Sequence, residues 1–172
     1  VKAQELRDKV DLSSGLIRVV VTYKPFSIAY YKSGQLIATE LAASRTNKET
    51  SVKLSVNADE SLLGGGSRVL GMNRRGNKLR LYNKAHYGYE TRSELMNYCI
   101  PMYLSSELYG VHFDNTWVGD LDLDSGKQNV VTYLAEGGPV RYQIFAGRTW
   151  KDLVNVYDFN RTSTATATLC VG

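Results

Sequence analysis

Proline is scarce in this chain, at three residues, and cysteine and histidine are scarcer still, at two each. So little proline leaves no room for a proline-rich linker or an extended recognition tract. Cys99 and Cys170 have neither metal-ligand spacing nor the density of a disulfide framework, so two buried free thiols are expected, with a single bridge as the alternative. His86 and His112 have no second ligand at a metal-binding interval, and no cofactor fingerprint accompanies them. Long apolar runs are missing, so no membrane partner is expected, and no secretory signal opens the chain. The chain starts at Val1 and is read as a trimmed or mature form, with its compartment open. An excess of one charge is also missing. The 21 basic and 17 acidic residues leave a net +4, and they are scattered, which argues against a nucleic-acid partner.

What the chain does have is twelve tyrosines, 43% hydrophobic residues and apolar–polar alternation through most of its length. Lys2 to Lys9 shows no clear pattern and is expected to be an irregular arm. Strands are expected at Leu16–Tyr23, Phe26–Tyr30, Leu36–Thr39, Val52–Val56 and around Leu79–Leu81. Further strands follow at Tyr98–Leu104, Tyr109–Phe113, Trp117–Leu123, Val130–Leu134 and Val140–Phe145. Lys32-Ser33-Gly34-Gln35 has hairpin-turn chemistry, and Leu41–Thr50 reads as a polar loop. One segment breaks the rhythm. Thr149 to Asp152 forms a capping-box pattern, and Trp150, Leu153, Val154 and Tyr157 recur at helical spacing. About ten strands and one late amphipathic helix define an all-β, antiparallel β-sandwich. A single domain is expected over residues 1–160.

Few residues look chemical. Asp120, Asp122 and Asp124 lack the glycine and glutamate of a calcium loop and are expected on the wet face of a strand. Gly64-Gly65-Gly66-Ser67-Arg68 lacks the lysine and the following helix of a phosphate loop, and is read as a bend between strands. Arg74, Arg75, Lys78 and Arg80 form one basic cluster, expected to be a solvated face. His112 is expected to point outward from its strand. The Asn160-Arg161-Thr162 sequon has no secretory context to give it weight. Glu90 and Glu94 lie on a loop without the rigid frame that a glycosidase carboxylate pair needs. The segment Lys84-Ala85-His86-Tyr87-Gly88-Tyr89, with Arg92, differs from the rest. Tyrosine faces beside polar and charged groups suit a sugar, and a plain surface loop with snorkelling tyrosines is the competing reading.

Six phrases kept in order over about residues 16 to 160 resemble the N-terminal domain of glycoside hydrolase family 31, the α-glucosidase and α-xylosidase group. They begin with Glu60-Ser61-Leu62-Leu63-Gly64-Gly65-Gly66-Ser67-Arg68, where Leu63 and Ser67 replace the family's aromatic and glutamate. Leu70 to Gly76 and Leu81-Tyr82-Asn83 follow. Ile100 to Leu104, Tyr109 to Asn115 and the run from Tyr142 to Thr149 complete the set.

The resemblance implies a galactose-mutarotase-like sandwich. It also implies that the nucleophile and acid/base carboxylates sit on a catalytic TIM barrel of the same polypeptide, so this chain alone is expected to be inactive. The full-length parent would then be a retaining α-glycoside hydrolase or transglycosidase acting on an oligosaccharide or α-glucoside. Residues 161–172 would be the linker toward that barrel, although they lack the family's proline and tryptophan there. The loop after Tyr82 would help shape the substrate pocket, with Asn83, Lys84, His86, Tyr87, Tyr89 and Arg92 as its binding residues. A stand-alone, lectin-like sugar-binding sandwich is the alternative.

Overall fold

The structure, a computed structural model, describes residues 1–172 except 85, 86, 89, 94–96, 163–168, 171 and 172, and leaves undescribed the side chains of 159–162, 169 and 170. Two antiparallel sheets carry the chain. The larger is built from β1 (Lys2–Glu5), β2 (Lys9–Ser14), β3 (Ile17–Tyr23), β4 (Phe26–Lys32), β5 (Gln35–Arg45), β6 (Thr50–Ser55), β8 (Asn77–Leu81), β11 (Gly119–Leu123) and β12 (Val130–Ala135). Its nine strands run β1-β2-β3-β4-β5-β6-β12-β11-β8. The smaller runs β14-β13-β10-β9-β7, from β7 (Leu62–Gly64), β9 (Met102–Ser105), β10 (Tyr109–Phe113), β13 (Arg141–Ala146) and β14 (Leu169–Cys170). One helix, α1 (Trp150–Thr162), follows β13.

The period of two places the core. At inward positions of the larger sheet, Ile28, Tyr30, Val52, Leu54, Leu121, Leu123, Val131 and Tyr133 are buried, and Val19 and Val21 of β3 are partly so. They meet Leu62, Tyr103, Tyr109, Val111 and Phe113 of the smaller sheet. Phe113 and Tyr133 stack across the interface, with ring centroids 4.3 Å apart and planes 5° from parallel. This central aromatic contact explains why the chain spends tyrosine freely: a buried ring adds much apolar area for few rotamers.

Three expectations need correction. Lys2–Glu5 is a strand, not an arm, and it pairs with β2 from Lys2↔Ser13 to Glu5↔Val10. As the outermost strand it is exposed at every residue, so no alternation marks it in the sequence. The loop expected over Leu41–Thr50 shrinks to Thr46–Glu49, because β5 continues to Arg45. A register shift between Glu40 and Ala42 leaves Leu41 as an extra residue, and that bulge breaks the period of two. Asp124 is not on a wet strand face. It follows β11 with φ of 65° and is buried, while Asp120 and Asp122 do alternate with the buried leucines.

The helix begins as its sequence demands. Thr149 Oγ1 accepts from the Asp152 amide at 3.2 Å, but Asp152 Oδ2 accepts from Arg148 N at 2.8 Å, one residue earlier than in the standard box. Leu153 is fully buried, and Tyr157 packs on Phe145 and His112 at 5.0 and 5.6 Å between centroids. His112 therefore points out of the sandwich but lies under the helix, half-buried. Trp150 and Val154, expected on the same apolar face, are exposed.

Candidate functional site

The loop between β8 and β9 leaves the larger sheet after Leu81 and joins the smaller one at Met102. Its two ends are tied together by one side chain. Asn83 Oδ1 accepts from the Cys99 amide at 2.7 Å and from Cys99 Sγ at 2.9 Å. Cys99 is a free thiol, half-buried rather than buried as expected, and burial pushes its pKa up. The thiol is therefore held protonated as a donor, not poised as a nucleophile. Further round, Glu90 and Ser93 close a turn: Ser93 N donates to Glu90 O at 3.0 Å, and Glu90 N donates to Ser93 Oγ at 3.0 Å. Arg92 sits in that turn with φ of 68°, and its amide reaches Val69 O at 3.1 Å.

Of the expected binding residues, Asn83 is structural at the loop base, although exposed. Lys84, Tyr87 and Arg92 are exposed, Tyr87 almost completely at 96%. His86 and Tyr89 lie outside the described residues, as does Glu94. Arg92 and Ser93 meet Arg68, Asn77 and Lys78 around a polar cavity of about 290 Å³. Arg68 is also tied to the backbone, donating to Gly65 O at 3.1 Å and Arg80 O at 2.7 Å. These groups form one polar wall, open to solvent, with an aromatic standing clear of it. Among the described residues no cluster of three or more His, Cys, Asp or Glu could hold a metal ion, and no helix is long and apolar enough to cross a membrane.

The basic cluster is a further correction: of its four residues only Lys78 is exposed as expected, and it too lies 3.5 Å from Asp120. Arg74 is buried, Arg75 is mostly so, and Arg80 pairs with Asp120 and Glu136. Beneath the glycine bend lies a carboxylate with no such charge partner in direct contact. Glu60 is 3% exposed and accepts from Ser105 Oγ at 2.5 Å, Asn57 N at 2.8 Å and Tyr109 Oη at 3.1 Å. Burial raises its pKa, against the opposing pull of those donors and of Arg75. A carboxyl raised on folding contributes stability below its unfolded pKa, about 4.3, and loses it as pH rises through the folded value. Glu60→Gln is therefore expected to flatten the stability–pH curve above that point. Urea melts at several pH values check this; a variant curve parallel to the parent's would contradict it.

Sequence reasoning missed a cavity elsewhere in the sandwich. It holds about 560 Å³ and is lined from both sheets, by residues of Leu12–Val19 and of Tyr142–Arg148. Tyr30 and Tyr142 line it and join a buried Glu40: Tyr142 Oη donates to the carboxylate, and Tyr30 Oη lies 2.6 Å from Tyr142 Oη. Only the inward parity of these residues on β4, β5 and β13 could have flagged them.

Among the described residues, sheets of nine and five antiparallel strands with one helix, and a long loop leaving the edge strand β8, make a β-sandwich. Over residues 1–122 the chain matches the glycosyl hydrolase 31 N-terminal galactose mutarotase-like domain, and it belongs to that family. It is similar to the α-xylosidase XylQ of Lactiplantibacillus pentosus, 28% identical over 165 residues that cover 90% of this chain and 21% of the relative. It is also 25% identical over 162 residues to α-glucosidase 2 of Bacillus thermoamyloliquefaciens, covering 89% of this chain and 20% of that one. Among solved structures, the Flavobacterium johnsoniae GH31 dextranase superposes with a TM-score of 0.84 at 22% identity, over 91% of this chain and 20% of the dextranase. That likeness bears on the fold. The chain spans about a fifth of the length of the curated relatives it matches.

Proposed function

We propose that this sandwich is the non-catalytic N-terminal domain of a retaining α-glycoside hydrolase or transglycosidase. It packs on a catalytic TIM barrel of the same polypeptide and lends the loop of residues 84–92 to the substrate pocket. The domain is proposed to occupy residues 1–160, with residues 161–172 leading toward the barrel after α1 ends at Thr162 and Leu169–Cys170 pair with β13. The observation that carries the reading is the family match, joined to relatives about five times longer that are an α-xylosidase and an α-glucosidase. The loop's form supports its role. It is pinned at its base through Asn83 and Cys99, and it presents Tyr87 to solvent. A ring this exposed gains nothing from folding and is available to cover a sugar bound against a neighbouring domain. Asn83 orients the loop, while Lys84, His86, Tyr87, Tyr89 and Arg92 supply its contacts.

Grafting residues 84–92 into the matching loop of the L. pentosus α-xylosidase tests this. The graft is expected to change the ratio of kcat/KM between α-xylosides with small and large leaving groups by about tenfold, through contacts worth roughly 1.4 kcal/mol. A graft that folds and leaves that ratio untouched would remove the loop from the pocket.

A further inference from the structure

Trp117 lies just before β11 and is 56% exposed, yet it is not loose. A Cβ placed on Gly137 would fall 2.9, 3.0 and 3.0 Å from Cε3, Cδ2 and Cζ3 of its indole. Three consecutive ring atoms at nearly one distance put that point over the ring face, not at its edge. At Gly138 a Cβ would come within 2.8 Å of Cδ1. The indole therefore lies flat on the Gly137–Gly138 backbone, where only glycine leaves room, and over half of the residue stays exposed. Asn115, 9% exposed, fixes both parts. Its Nδ2 donates to Gly137 O at 2.9 Å and to Pro139 O at 3.2 Å, and its Oδ1 accepts from Trp117 N at 2.9 Å.

The surroundings are polar. Glu136, which pairs with Arg80, is bonded through its amide to Val118 O at 2.8 Å. Asp114, one residue before Asn115, pairs with Arg141 at 3.3 Å. The Glu136, Asp114 and Arg141 side chains are 57%, 44% and 42% exposed, so this rim is charged and reaches solvent. A protein-docking core surrounds its aromatic with further apolar surface. A rigid, partly exposed indole held among residues that carry exposed ion pairs instead matches a pyranose, which has an apolar C–H face and a rim of hydroxyls.

We infer that Trp117 is the stacking platform of a carbohydrate subsite, taking a gluco-oligosaccharide whose equatorial hydroxyls leave the ring face flat. The inference does not rest on the role of the 84–92 loop. Gly119 pairs with Leu81, so Trp117 and the start of that loop leave the sheet at the same end.

The test is an NMR titration of the 172-residue protein, following the two indole N–H signals of Trp117 and Trp150, with maltotriose and isomaltotriose as separate probes. The Trp117 signal is expected to shift saturably with at least one of them, while Trp150 stays still. Trp117→Ala is expected to abolish the accompanying shifts at Glu136–Gly138 without altering the melting curve. Gly137→Ala keeps the indole but tilts it, and is expected to weaken binding at least tenfold. Tyr87→Ala is expected to leave the titration unchanged. Four outcomes would overturn the inference: no indole shift with either sugar, a shift at Trp150 alone, binding that Tyr87→Ala abolishes, or a Trp117 shift that follows protein concentration instead of sugar, which would mark a protein-docking surface.

Discussion

Arg75→Ala is expected to destabilise this protein by about 3–5 kcal/mol, the usual consequence of leaving one member of a buried ion pair alone. All three guanidinium nitrogens are in use. Nε and Nη2 reach Asp124 Oδ2 at 2.9 Å, Nη1 donates to Asn57 O at 2.7 Å and Glu60 O at 2.8 Å, and Nη2 donates to Asn129 Oδ1 at 2.8 Å. One side chain thus fastens the end of β6, the entry to the glycine bend and the turn from β11 to β12. Asp124 cannot adapt, because its Oδ1 already accepts from Gln128 N at 2.8 Å and Val130 N at 3.2 Å.

Burial alone would raise the Asp124 pKa, but the Arg75 hydrogen bond, the two amides and the Arg75 charge together hold it below the ordinary value. A carboxyl lowered on folding contributes stability above its unfolded pKa, about 3.9, and loses it as pH falls through the folded value. In Arg75→Ala the acid limb of the stability curve should therefore move to higher pH, besides the loss at neutrality. Thermal melts should drop by roughly 10 °C, at about 2–4 °C per kcal/mol for a domain of this size. A variant within a degree of the parent would show that the knot adds nothing. Arg75→Lys should recover little, since a single ammonium cannot span the same acceptors.

Gly66→Ala is expected to cost a further class of energy, backbone strain together with collision, at about 3 kcal/mol or more. Gly66 has φ of 86°, where an L-residue loses roughly 1–2 kcal/mol before any contact is considered. The added Cβ would also fall 2.5 Å from Tyr98 O, 2.6 Å from Cys99 Cα and 2.9 Å from Ile100 N. Those atoms are all backbone and cannot swing aside. They belong to the returning end of the 84–92 loop, so the substitution should move that loop as well as lower stability. Amide hydrogen exchange at residues 97–100, compared between variant and parent, reads the loop effect separately from the melt. Unchanged protection there would show that the bend and the loop are independent.

The sequence declared the sandwich wherever alternation survives. Val52, Leu54, Leu121, Leu123, Tyr109 and Val111 all lie inward as their parity requires. It misled where geometry departs from regular strands. Lys2–Glu5 has no buried face to advertise, and the bulge at Leu41 hides the last part of β5. The basic cluster looked like solvated surface because sequence shows charge but not its partners, and Asp124 and Glu136 are distant along the chain. The glycine bend was legible, since three successive glycines between strands suit a tight turn and little else. The loop was legible as a sugar-suited composition but not in its shape, because that depends on Asn83 meeting Cys99. Trp117 was hidden for a similar reason. It reads as one more strand residue until Gly137 and Gly138 are seen beneath its ring.

The central claim is that this domain supports glycoside chemistry without performing it. The direct measurement is a steady-state assay of the purified 172-residue protein with p-nitrophenyl α-glucopyranoside and α-xylopyranoside. The assignment predicts release of p-nitrophenol no faster than in buffer with either substrate, from a sample whose melting curve shows it folded. Turnover above buffer that rises in proportion to protein concentration and persists in independent preparations would place catalytic groups within this chain and contradict the assignment.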